Sequence, residues 1–174
     1  LVGRPDYNNA EFGKINFATN ARQPGSSFTP IYFTRALNEK LITPATIIRD
    51  EKTTFGTWTP NNYDFRFRGD ITVRNALSQS LNIPAIKVLE KVGVNDAIDT
   101  AKTLGITTLD KKQDYGLTLA LGAGETTPLQ MTNAYAAFAN GGRQYDTTTL
   151  VSVDNKFGKN RYTHNPVSKR AMSS

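Results

Sequence analysis

The sequence predicts an α+β fold, a helical part followed by a partial antiparallel sheet. Three observations predict it. Apolar residues at 28, 31, 32, 33, 36 and 37 make a helical stripe. Thr127-Pro128-Leu129-Gln130 reads as a capping box with proline at the first helical position, opening a helix over 128–139. The runs TTTLVSV and KNRYT flank DNKFG, the pattern of a β-hairpin.

Taken in order, residues 1 to about 25 read as the end of a strand and then a long polar loop rich in Asn, Gly and Pro. A helix runs from Ser27 to about Asn38, and Pro30 is tolerated because a first-turn N–H has no intrahelical partner. Residues 40–70 carry Pro44, Gly56, Pro60, Asn61, Asn62 and Gly69 among scattered aromatics, which predicts irregular chain with short strands. From Thr72 the run VRNAL gives a turn or two of helix. Asn82 before Ile83-Pro84 is a good N-cap arrangement for a helix ending at Gly93. Another helix runs from about Asn95 to Leu104 and stops at Gly105. In the helix over 128–139, Leu129, Met131, Tyr135 and Phe138 recur near helical spacing, and Asn140-Gly141-Gly142 ends it. The tail from Ser168 to Ser174 reads as the opening of one more helix.

The bulk numbers exclude several classes of function. At 174 residues the chain suits one domain, with a core large enough to stand without staples. It has no cysteine, so a disulfide framework, a cysteine zinc site and a thiol nucleophile are all excluded. Much of the +6 net charge sits in residues 155–174, where Lys156, Lys159, Arg161, Lys169 and Arg170 meet no acidic residue. Basic residues are not interleaved with stacking aromatics, so nucleic acid is not the expected partner; a solvated basic tail, or attraction to an anionic wall or membrane surface, is. There is no apolar run long enough to span a membrane. The start at Leu1-Val2-Gly3 reads as an excised piece of a longer protein, with any anchor outside it.

Two short stretches carry candidate chemistry. In RQPGSSFTP, Ser26 stands at a helix N-terminus, where the positive end of the backbone dipole favours a developing alkoxide; the plain alternative is that Ser26 or Ser27 is an N-cap. In Ser80-Leu81-Asn82, a hydroxyl and a carboxamide two residues apart can point the same way from an extended loop, one passing a proton while the other holds a substrate amide. There the plain alternative is Asn82 as an N-cap. Together they follow the order of a serine acyl-transferase pattern, Ser-x-x-Lys, then Ser-x-Asn, then Lys-Thr-Gly. The one histidine, His164, lies in the basic hairpin and tail with no acidic neighbour evident to orient it. Trp58, Tyr63, Phe65 and Phe67 either line a groove or pack a long loop.

RQPGSSFTP resembles the RQPGSSFKP that carries the nucleophile in class A penicillin-binding proteins, and SLNIPAI resembles their second motif. FRGDITVRNALSQSLNIPAIKVLEKVG and LALGAGETTPLQMTNAYAAFANGG are also similar to their transpeptidase domains, so the likeness runs from Leu1 to about Met172. The resemblance implies the helical subdomain and partial antiparallel sheet of the penicillin-binding and β-lactamase-like fold, over residues 1–174, with later strands missing. It implies a D,D-transpeptidase that cross-links peptidoglycan stem peptides and is acylated by β-lactam antibiotics. It implies an extracytoplasmic setting, membrane attachment only through an anchor outside these residues, a glycosyltransferase domain elsewhere in the full-length protein, and no cofactor or metal. Carried over by position, Ser26 is the nucleophile, Ser80 the proton-relay hydroxyl, and Asn82 the group that binds the substrate backbone. Gly122 to Gly124 are structural.

Two departures bear on activity. The family's lysine falls at position 29, and this chain has Thr29, which has no accessible base form near neutral pH. Lys-Thr-Gly does not occur in these residues: Lys52-Thr53-Thr54 lacks the glycine and precedes Ser80, and the chain reads as ending before the motif. The expectation is therefore a transpeptidase domain of impaired activity. The alternatives are a catalytically inactive module that binds wall peptides or acts as a scaffold, or an enzyme silenced by an engineered change at position 29.

Overall fold

The computed structural model describes residues 6–173. The strand end expected near Leu1 and Val2 lies outside the described residues. From Asp6 to Asn20 the chain is a run of turns held by local side-chain bonds, such as Asn9 Oδ1 accepting from the amides of Glu11 and Phe12.

A 3-10 helix, Gly25–Phe28, leads directly into α1, Thr29–Asn38. The helix expected from Ser27 thus begins as a tighter turn. Its stripe is buried at Ile31, Tyr32, Phe33 and Ala36, while Leu37 turns to solvent. In the irregular stretch that follows, β1 (Ile47–Asp50) pairs antiparallel with β2 (Gly69–Thr72), placing Asp50 opposite Gly69. Thr72 leaves β2 and caps α2 (Val73–Ser78), its side chain accepting from the Asn75 amide at 3.3 Å.

The central element is α3 (Asn82–Val92), which buries Ile83, Pro84, Ala85, Ile86, Val88, Leu89 and Val92. That coverage reaches most of its circumference, because α1, α2, α4, β1 and a second 3-10 helix, Gly116–Leu121, all pack on it. Fully burying a side chain such as Leu89 is worth about 1.5–3 kcal/mol, and its loss to alanine would cost about 2–5 kcal/mol. Gly93, at φ 89°, ends α3 and begins α4 (Val94–Thr103) in a single residue, a conformation L side chains rarely adopt.

The capping box of α5 (Pro128–Ala139) is half formed. Thr127 Oγ1 accepts from the Gln130 amide at 3.1 Å, but the Gln130 side chain donates to Thr107 instead of reaching back. The core face of α5 is Met131, Ala134 and Ala137; of the expected stripe Met131 is buried, Phe138 packs partly against the core, and Tyr135 projects outward.

The antiparallel part is three separate two-stranded ladders. The hairpin is present as β4 (Ser152–Asp154) with β5 (Asn160–Thr163), carrying an irregularity at Val153/Asp154. The tail helix expected from Ser168 is instead β6 (Ser168–Arg170), paired with β3 (Arg143–Tyr145). Pairing with the edge of β3 supplies backbone partners that the local sequence does not announce. Among the described residues no helix is long and apolar enough to cross a membrane.

Candidate active site

The 3-10 helix sorts the two serines. Its N-cap is Pro24, and neither serine makes a capping bond. Ser27 Oγ donates to Pro24 O at 2.7 Å. Ser26 is exposed, and its hydroxyl has no hydrogen-bond partner among the described residues. The N-cap alternative therefore fails for both. In a 3-10 turn, residues three apart eclipse each other, and the Thr29 amide bonds Ser26 O. Thr29 lies directly below Ser26 on the inner side, 6% exposed, with Oγ1 3.5 Å from Ala120 O.

Beneath Thr29 is the Tyr32 hydroxyl, which lies 3.2 Å from Ala85 O and 3.3 Å from Ala120 O. Burial pushes its pKa far above the ordinary phenol range, and the hydrogen bond with Thr29 opposes that only in part, so the phenol stays protonated. Tyr32 is the fourth residue of α1 and Ala85 the fourth of α3. The first turns of these two helices therefore meet, Tyr32 lying six residues beyond Ser26 and Ala85 three beyond Asn82.

Three contacts fix the turn that carries Ser26. Arg22 and Thr126 exchange two backbone bonds of 2.9 Å. Tyr135 Oη donates to Ser27 O at 2.9 Å. Gly122, at φ 75°, lies against the backbone of Gly25, so closely that a Cβ there would stand 2.5 Å from Gly25 N. The glycines of GAG, expected to be structural, do act as a close-approach surface. From sequence Tyr135 shows only helical spacing; its role in this turn is visible only in three dimensions.

Ser80 is placed by the end of α2. The Leu81 amide bonds Ala76 O and the Ser80 amide bonds Leu77 O, each at 3.1 Å, a Schellman arrangement. It requires a left-handed residue, and Ser80 takes that position at φ 53°, exposed. Asn82 is not the N-cap of α3 but its first residue. Its Nδ2 donates to Asn61 O at 2.7 Å. The capping is done from a distant loop: Asn62 Oδ1 accepts from the amides of Asn82 and Ile83 at 2.9 and 3.3 Å. Sequence reasoning missed Asn62, because nothing local marks a residue that caps a helix twenty positions away.

In the same loop Trp58 packs at a tilt near Phe55, with ring centroids 6.4 Å apart, whereas Tyr63 and Phe65 are 67% and 77% exposed beside Asn62. Loop packing thus accounts for Trp58 but not for those two. His164 follows β5 and bonds Val151 O through its backbone. Among the described residues no group of three or more His, Asp or Glu side chains could hold a metal ion.

The family model for the penicillin binding protein transpeptidase domain matches residues 1–174. Penicillin-binding protein 1F of Bacillus subtilis (strain 168) is 33% identical over 175 residues, covering 99% of this chain and 24% of that protein. Penicillin-binding protein 1A of Neisseria lactamica is 36% identical over 175 residues, covering 96% of this chain and 21% of that protein. The chain thus spans less than a quarter of the curated relatives it matches. Among solved structures, penicillin-binding protein 1A from Haemophilus influenzae superimposes with a TM-score of 0.78 at 31% identity, over 89% of this chain and 24% of that one.

Proposed function

Since the chain belongs to the penicillin-binding protein transpeptidase domain family, we propose that its site is that of a D,D-transpeptidase working on peptidoglycan stem peptides outside the cytoplasm and open to acylation by β-lactams. Ser26 Oγ attacks the carbonyl of the penultimate D-alanine. A C–O bond forms, the C–N bond to the terminal D-alanine breaks, and that residue leaves as an amine carrying the proton delivered through Ser80. The acyl ester then passes to the amine of a second stem peptide. Asn82 holds the substrate backbone through its carboxamide.

The observation that supports this reading is the meeting of the first turns of α1 and α3 through Tyr32 and Ala85. Tyr32 lies six residues beyond Ser26 and Ala85 five beyond Ser80, which supports reading the two segments as parts of one acyl-transfer site. Activity is impaired in this reading, because Thr29 stands where the family's lysine would take the serine proton, and its hydroxyl faces Ala120 O inside. General-base assistance is commonly worth about 10²–10⁴ in rate.

The test is intact-mass measurement after incubation with a penicillin, with peptide mapping of any adduct. The unsubstituted chain is expected to label very slowly, Thr29→Lys to label about 10²–10⁴ faster on Ser26, and Ser26→Ala not at all. Rapid stoichiometric labelling of the unsubstituted chain would refute the impairment. An adduct elsewhere than Ser26, or none in the Thr29→Lys chain, would overturn the catalytic assignment and favour a non-catalytic module that only binds wall peptides. The buried, bonded state of Thr29 is the observation that keeps that second reading in view.

A further inference from the structure

The second motif loop does not hold itself. Leu81 offers no side-chain acceptor to the N-terminal amides of α3, and orphan amides at a helix start need partners. They find Asn62, which is 1% exposed. Its oxygen takes the amides of Asn82 and Ile83. Its nitrogen donates to both oxygens of Asp50, at 2.9 and 3.0 Å, and to Arg66 O at 2.8 Å. Asp50 is completely buried at the end of β1 and accepts a further bond from the Arg68 amide at 2.9 Å. A carboxylate accepts only, so the Asn62 NH₂ must face Asp50 and its oxygen must face α3. The preceding residue, Asn61, takes the Asn82 side chain on its carbonyl at 2.7 Å. One tight loop thus grips Asn82 by both its main chain and its carboxamide.

We infer that Asn62, oriented by the buried carboxylate of Asp50, is the positioning residue of the second motif, setting the direction in which Asn82 presents its carboxamide to a peptide substrate. What Asn82 presents itself to rests on the transpeptidase reading; the hold on Asn82 does not. The arrangement does more than stabilise a helix end. The Asn61 bond occupies one amide hydrogen of Asn82 and leaves its other hydrogen and its oxygen for a ligand, and the Asn62 bond fixes the Cα from which that group projects. Asp50 makes no bond to Asn82, yet with the Arg66 carbonyl it decides which end of the Asn62 amide faces α3.

The experiment uses the whole chain with Asn62→Ala, Asn62→Asp, and the exchanged pair Asp50→Asn with Asn62→Asp. Amide hydrogen exchange is followed by NMR, and binding of an acetylated tripeptide ending in D-Ala-D-Ala is titrated. Asn62→Ala is expected to speed exchange at Asn82 and Ile83 at least tenfold, to leave Val88 and Leu89 unchanged, and to weaken the peptide about tenfold. Asn62→Asp places two carboxylates face to face and is expected to do the same. The exchanged pair, which restores a donor facing an acceptor between the two side chains but leaves Arg66 O without its donor, is expected to recover part of both effects relative to Asn62→Asp alone. Unchanged exchange at Asn82 and Ile83, an equal rise along all of α3, or unaltered peptide affinity despite faster exchange would overturn the inference. Should Asn62→Ala not fold, an exchanged pair no better than Asn62→Asp alone would overturn it equally. An unsubstituted chain that ignores the peptide removes the transpeptidase reading, and exchange with pair recovery then decides the role of Asn62 by itself.

Discussion

Gly122→Ala tests the packing that holds the Ser26 turn in place. At φ 75° an alanine carries backbone strain of about 1 kcal/mol. Its Cβ would also stand 2.5 Å from Gly25 N and 2.7 Å from Gly25 C, where carbon contacts normally sit near 3.5–4.0 Å. Both neighbours are backbone, so no side chain can swing aside and the turn itself must move by about 1 Å. Overpacking of this kind costs about 1–3 kcal/mol, for a total of about 2–4 kcal/mol. In a chain of this size each kcal/mol lowers Tm by about 2–4 °C, so the expected drop is about 4–16 °C. Gly158→Ala is the matched control. Its φ is 76°, and among the described residues nothing lies within 4 Å of the added Cβ, which leaves only the strain and a drop of about 2–4 °C. Differential scanning calorimetry on both variants isolates the contact. Equal Tm losses would refute the claim that Gly122 is a close-approach surface for the turn carrying Ser26. The same variant should also slow any labelling at Ser26.

The remaining predictions concern strain and titration. Ser80→Gly removes a side chain from a left-handed position and should stabilise the chain by about 0.5–1 kcal/mol in denaturant titration while removing the proposed relay hydroxyl; a loss of stability would show that Ser80 is not strained. Tyr32 has its folded pKa raised by burial, so its contribution is complete below the unfolded phenol value of about 10 and declines as pH rises beyond it. Urea titrations at pH 9 and pH 11 should show that decline, and Tyr32→Phe should make it shallower while costing about 1–2 kcal/mol at neutral pH, where the carbonyls of Ala85 and Ala120 lose their donor. An unchanged slope in Tyr32→Phe would assign the alkaline loss to other groups.

Much of the fold was legible because its signals are local. The stripe of α1, the Gly93 break and the Thr127-Pro128 start of α5 each depend on residues within one or two turns, and each stands within a residue or two of its expected place. The failures share a cause as well. Ser168–Arg170 reads as helix until an edge strand is offered to it, and Asn82 reads as a cap until Asn62 supplies a better one. Helical spacing places Tyr135 on α5 but does not reveal that its hydroxyl reaches Ser27 O across more than a hundred residues of sequence.

By itself the sequence determined the α+β class, the order of the helices, and the two short stretches around Ser26 and Ser80, together with a threonine and not a lysine at position 29, since side-chain identity and short-range spacing suffice for these. Only the tertiary structure decided which polar groups meet. The buried Asp50 and Asn62, the Tyr32 hydroxyl between two carbonyls, and the backbone of Gly25 against Gly122 are pairings of distant segments. A buried donor or acceptor must find a partner wherever the packing brings one, and spacing along the chain does not encode that choice.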